Sequence, residues 1–213
     1  MKVQFFAAAL AATVFATPAF AAEFTGPRAE LRVGYESVDA DAGFVNGAVN
    51  KAASGSEDGV TYGVEVGYDH KIGSNFILGA YAGIDFSDAD DCAGPVLGND
   101  QACFSAGRNI TAGIRAGVQV APRVLLYAKG GYSNGRFKLA YDGPGTANDF
   151  NLRDNRDGFH VGAGAEFAVT EKAYAKLEYV YTDYEGRGYK NGAFGAAYDT
   201  NRHQVMAGVG FRF

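Results

Sequence analysis

The feature that most constrains this chain is a period-two alternation that recurs in eight segments. In the first, Leu31, Val33 and Tyr35 lie on one face and Glu30, Arg32, Gly34 and Glu36 on the other. In the second, Val60, Tyr62, Val64, Val66 and Tyr68 oppose Thr61, Gly63, Glu65, Gly67 and Asp69. The pattern returns at residues 76–86, 110–120, 124–133, 159–169, 175–184 and 202–213. Apolar side chains at every second position mark one face of a strand, whereas a helix repeats them every three or four residues. The connections alternate too. Short turns at His70–Ser74, Ala121–Arg123 and Thr170–Lys172 follow the second, fourth and sixth segments. The other connections are long, polar and rich in Gly, Asp and Asn.

Strands of about ten residues, joined alternately by short turns and long loops, are the layout of a membrane-spanning barrel. The expected fold is therefore all-β: an eight-stranded antiparallel up-and-down transmembrane β-barrel with long extracellular loops and short periplasmic turns. Such a barrel closes on itself and leaves no edge to pair, so a monomer is expected. A soluble barrel also alternates, but turns its apolar face inward and its charged face to water. Here the second face is too small for a soluble exterior, because Gly63/Gly67, Gly79/Gly83, Gly113/Gly117, Gly162/Gly164 and Gly208/Gly210 all lie on it. Small residues beside a few long charged ones suit a lumen that side chains nearly fill. Aromatics near segment ends, among them Tyr35, Tyr68, Phe86, Tyr132, Phe167 and Phe213, suit two interfacial girdles. The mean hydropathy lies just below zero. Spanning helices would raise it, whereas alternating faces average out.

The first residues read as a processing signal. Lys2 supplies a positive start, Val3 to Phe15 is uncharged and mostly apolar, Pro18 breaks it, and Ala19-Phe20-Ala21 offers a small-x-small cleavage site. The expected division is a cleaved signal peptide over residues 1–21 and a barrel over residues 22–213. The apolar run is shorter than the ~20 residues a spanning helix needs. Without Lys2 the chain has 18 basic against 24 acidic residues, a balance that argues against a nucleic-acid partner.

The closing stretch His203-Gln204-Val205-Met206-Ala207-Gly208-Val209-Gly210-Phe211-Arg212-Phe213 resembles the last strand of the small outer-membrane β-barrel family of Gram-negative bacteria, which includes opacity-type, porin-family and OmpA-like barrels. Residues Lys176 to Tyr184 resemble its penultimate strand. The resemblance implies an outer-membrane location. It also implies that Val205, Ala207, Val209, Phe211 and Phe213 form the signal read by the barrel-assembly machinery. It implies no single activity. No peptidoglycan-binding periplasmic domain is expected after Phe213.

Cys92 and Cys103 share one long loop, and in an oxidising compartment a pair this close is expected to form a disulfide. The inward face carries Glu30, Arg32, Glu36, Glu65, Asp69, Asp85, Arg115, Lys129, His160, Glu166, Lys176, Glu178, Arg202 and Arg212. Charges withdrawn from bulk water must pair, so a plugging network is expected, with Glu65, Arg115, Lys129, Glu166, Lys176 and Glu178 nearest mid-barrel. The alternative is a narrow small-solute pore with charged constrictions. A more remote one is a lipid A-modifying enzyme built on His203, with Ser37 at a similar level. Acidic runs in the first two long loops (Asp39, Asp41, Glu57, Asp58; Asp88, Asp90, Asp91, Asp100) read as solvated surface that could share divalent cations with lipopolysaccharide. No defined metal site, cofactor or catalytic group is expected. The expected partners are outer-membrane lipids, lipopolysaccharide, the assembly machinery and an extracellular ligand met through the loops.

Overall fold

The computed structural model describes residues 22–46, 49–88, 90–93, 101–142, 150–191 and 194–213. The expected signal, residues 1–21, lies outside the described residues. Nine strands run through them: β1 (Gly26–Asn46), β2 (Val49–Ile72), β3 (Phe76–Ser87), β4 (Asp90–Ala93), β5 (Gln101–Ala121), β6 (Val124–Asp142), β7 (Phe150–Ala168), β8 (Ala173–Asn191) and β9 (Phe194–Arg212). All neighbours are antiparallel. β1 pairs with both β2 and β9, and the ring closes where β3 meets β5. The short β4 pairs with β5 as β3 does, so it continues the third stave of an eight-position barrel.

The ladder registers fix the shape of the ring. Registered partners lead from Glu36 through Gln204, Val180, Gly162, Lys129, Arg115, Gly79 and Asp69, and return to the first strand at Gly26. One circuit over eight strand positions therefore slips by ten residues, from 36 to 26. A slip of this size tilts strands by roughly 40° and leaves an interior just wide enough for side chains.

The alternation sorts the two faces as the sequence pattern requires. Leu31, Val64, Ile114, Leu177 and Val209 are exposed on the outside, and Glu30, Glu65, Arg115, Lys176 and Arg212 are buried inside. Close approach of backbones demands some of the inward glycines. A Cβ on Gly131 would lie 2.1 Å from the Ala112 carbonyl oxygen and 2.5 Å from the Gly113 Cα. Gly73, in the turn between β2 and β3, has φ +66°, which disfavours a side chain.

Inward positions at the short-turn end are apolar. Ile77 and Leu125 point into the lumen there and pack with Ala22, Phe24 and Ala168 as a floor. The Ala22 amide donates to the Pro122 carbonyl at 2.9 Å, and the Thr25 hydroxyl donates to the Asp69 carbonyl at 3.0 Å. The chain thus crosses the mouth before entering β1.

One expectation needs correction. Stretches read as long loops are mostly strand: β1 and β2 stay paired as far as Asn46 and Val49, and β5 and β6 as far as Gln101 and Asp142. These extensions no longer repeat apolar residues at the outward positions, so the sequence signal fades while the ladder continues. The ring closes as expected, but its pairings differ in length. β7 and β8 remain registered only up to Gly158 and Tyr184, and β2 and β3 only up to Thr61 and Ser87. Beyond these points β8, β9, β1 and β2 form one leaflet, and β4 to β7 another. Among the described residues the barrel is therefore closed in its lower part and seamed at its long-loop end. A register shift between Tyr184 and Arg187 accompanies one seam, where β8 stays with β9 and leaves β7.

Candidate functional site

The lumen holds the densest chemistry in the molecule. Seven buried carboxylates form ion pairs with seven buried cations: Glu30, Glu36, Glu65, Asp69, Asp85, Glu166 and Glu178 with Arg28, Arg32, Arg115, Lys129, Lys176, Arg202 and Arg212. Alternation places every one of them inward, and the ten-residue slip decides which of them meet.

Glu65 on β2 is the hub at mid-barrel. It accepts from Arg28 at 2.7 Å, from Lys129 at 2.9 Å, and from Arg32. Lys129 reaches on to Glu178 at 2.9 Å, and Glu178 also accepts from Tyr127 at 2.6 Å and Lys176 at 3.3 Å. Lys176 pairs in turn with Glu30, which accepts from Arg28 at 3.0 Å and Tyr174 at 2.9 Å. Nearer the floor, Arg115 donates to Asp69 at 2.8 Å and to Glu166 at 3.2 Å. Arg212 joins the same two acids, and Arg28 lies 3.5 Å from Asp69, linking the two groups. Above the hub, Arg32 grips Asp85 through two 2.7 Å bonds. Higher still, Glu36 accepts from Arg202 at 2.9 Å, from Gln204 at 3.1 Å, and from Ser87. Desolvating so many charges is costly. Such an interior is tolerable because each charge meets opposite charge and hydrogen bonds from several strands.

All six residues expected near mid-barrel lie in this lumen, but in two groups. Glu65, Lys129, Lys176 and Glu178 meet one another, whereas Arg115 and Glu166 sit lower with Asp69 and Arg212. Arg28 escaped the sequence reading because it precedes the first apolar residue of its segment. Its parity with Glu30 and Arg32 would have revealed it. The tyrosines Tyr81, Tyr127 and Tyr174 also join the interior. Tyr81 bonds His160, which meets Ser133 through its other ring nitrogen at 2.8 Å.

The remaining candidates lie elsewhere. His203 and Ser37 are direct ladder partners. His203 bonds the Tyr179 hydroxyl at 2.6 Å, and Ser37 bonds Ser56 at 3.1 Å, so each engages another neighbour. The backbone register sets Cys92 opposite Cys103. Val205, Ala207, Val209, Phe211 and Phe213 all point outward, and the Phe213 amide donates to the Pro27 carbonyl at 3.0 Å. No group of three or more His, Cys, Asp and Glu suited to a metal occurs among the described residues. No helix among them is long and apolar enough to cross a membrane.

A closed, lipid-compatible exterior around a charged interior defines an outer-membrane β-barrel, and the comparisons agree. Residues 7–213 match the outer membrane protein beta-barrel domain family, and the chain belongs to it. It is 32% identical over 173 residues to a 22 kDa outer membrane protein of Rhizobium leguminosarum bv. viciae, covering 78% of this chain and 74% of the relative. It is 27% identical over 176 residues to a 31 kDa outer-membrane immunogenic protein of Brucella melitensis, covering 77% and 72%. The outer membrane protease OmpT of Escherichia coli has the same kind of fold. It superposes with a TM-score of 0.54 at 13% identity, covering 93% of this chain and 99% of that one. The protein is located in the outer membrane.

Proposed function

We propose that this protein is a non-enzymatic surface protein. Its barrel anchors it in the outer membrane as a monomer, its lumen is shut by the ion-pair network, and its long-loop end meets an extracellular ligand. The observation that carries the reading is the hub around Glu65. Side chains from β1, β2, β6 and β8 join there across the lumen, above an apolar floor that includes Phe24. A lumen of eight strand positions has little room left once such side chains meet. The Brucella relative, called an immunogenic outer-membrane protein, fits a surface that other molecules reach.

Planar-bilayer recording of the purified protein tests the closed lumen. The expected record is silence or rare brief openings, and steady open-channel steps would support a narrow pore instead.

We further propose that Cys92 and Cys103 form a disulfide in the long-loop half of β4 and β5. Directly opposed residues of an antiparallel ladder have Cα atoms about 4.5–5.5 Å apart, inside the span a disulfide bridges. Alkylation of the denatured, unreduced protein should label neither thiol, and prior reduction should expose both. Labelling without reductant would exclude the bridge.

A further inference from the structure

Just above the upper aromatic girdle, the outward face changes character on one side of the barrel. Between Ala106 and Asn109 the register of β5 on β6 shifts. Ala106 pairs with Phe137 and Asn109 with Gly135, so Gly107 and Arg108 together oppose Arg136. A bulge of this kind re-aims the side chains it contains. The strands stay close there: a Cβ on Gly107 would lie 3.1 Å from the Arg136 carbonyl oxygen and 3.8 Å from the Arg136 Cβ. On its other side Arg108 is the ladder partner of Phe86, an exposed outward ring. Arg136 shares the outward parity of Tyr132, the exposed ring below it on β6. Two arginines from neighbouring strands thus stand side by side at the top of the lipid-facing surface.

Both charges go unanswered within the chain. Arg136 Nε donates to the neutral Asn155 amide oxygen at 3.1 Å, and Arg108 Nε has no partner. Among the described residues no carboxylate forms an ion pair with either. The nearby Asp157 already accepts from the Tyr132 hydroxyl and, at 2.7 Å, from Asn134. Asp88, two positions beyond Phe86, is the other acid on this side. Two positions above Arg136 the register pairs Lys138 with Arg153, which adds positive charge. In the opposite half, the outward positions at this level hold Asp39, Asp58 and Asp183, with no Arg or Lys among the described residues.

Like charges on neighbouring strands repel, and an anion between them removes the penalty. Guanidinium groups meet phosphate through paired, charge-assisted hydrogen bonds. The arginines open sideways into the plane of the membrane, beside aromatic rings that mark the level of lipid head groups. With the long-loop end extracellular, as proposed above, that leaflet is the outer one, where the head-group phosphates are those of lipid A. We propose that Arg108 and Arg136 form a docking site for a lipid A phosphate of lipopolysaccharide, with Phe86 and Tyr132 beside its acyl chains. One sector of the barrel then holds lipopolysaccharide directly through arginine.

Native mass spectrometry of the purified, folded protein in detergent micelles tests the site. It compares lipid A bearing its phosphates with the same lipid A after phosphatase treatment. The phosphorylated form should bind at least about tenfold more tightly, the scale of one hydrogen bond to a charged group. Equal binding of the two forms by the unaltered protein would overturn the proposal without any variant. The double change Arg108→Gln and Arg136→Gln should abolish the preference, with folding read from the shift on an unheated gel. A folded double variant that keeps the preference would remove these arginines from the site. Phosphatidylglycerol is the competitor: if it displaces lipid A at equal concentration, the site takes any lipid phosphate and the assignment to lipid A fails. Micelles have no sides, so the orientation does not enter this result. Protease treatment of whole cells reads the orientation separately.

Discussion

Replacing Glu65 with Gln should destabilise the barrel by about 3–5 kcal/mol, the range found when one member of a buried ion pair is removed. Arg28, Arg32 and Lys129 all donate to this carboxylate and are buried with it. Glutamine keeps the shape but leaves the three cations short of one negative charge. The measurement is the urea midpoint of the protein folded into lipid vesicles. Adding Lys129→Met to Glu65→Gln restores the charge balance, so the double variant should lose less than the two single losses combined. Strict additivity would mean that the hub charges are screened by solvent and do not act as a unit.

Gly131→Ala should be more disruptive than its chemistry suggests. The added Cβ meets backbone atoms of β5 at 2.1 and 2.5 Å, and no flexible side chain is there to give way. The strands must separate locally, at a cost of about 3 kcal/mol or more. The neighbouring Gly130 is the control. A Cβ there has the His160 carbonyl oxygen as its nearest contact, at 3.5 Å. Gly130→Ala should therefore shift stability by less than ~0.5 kcal/mol. Folded yield on an unheated denaturing gel, followed by urea midpoints, compares the pair. Equal behaviour of the two variants would contradict the close packing of β5 on β6.

The contrast between these two glycines also marks what can be read from sequence. Period two assigns each residue to a face, so Leu31 to lipid and Glu65 to lumen were legible from residue order alone. Which inward residues meet was not, because that depends on register. Glu65 reaches Arg28 on one neighbouring strand and Lys129 from across the lumen. Only the ten-residue slip brings these together. The apolar floor was hidden for a similar reason: Ile77 and Leu125 sit beside outward apolar residues, and the chain segment that covers them, Ala22 to Phe24, lies outside any alternating run. The strand extensions past Tyr35 and Val60 were illegible because apolar residues no longer recur at the outward positions there.

Matching seven carboxylates to seven cations leaves the barrel wall electrically quiet. Among the described residues the acidic excess must then reside at the two ends. Among the described residues, 39–46, 49–58, 88, 90–93, 101–108, 136–142, 150–157, 183–191 and 194–199 lie on the long-loop side and contain thirteen acidic against eight basic residues. On the short-turn side, Glu23 and Glu171 face Lys71, Arg123 and Lys172. An approaching molecule therefore meets a negative field at the rim, felt over about one Debye length, ~8 Å at physiological ionic strength. Cationic ligands are drawn toward the rim and polyanions held off before any individual side chain is touched.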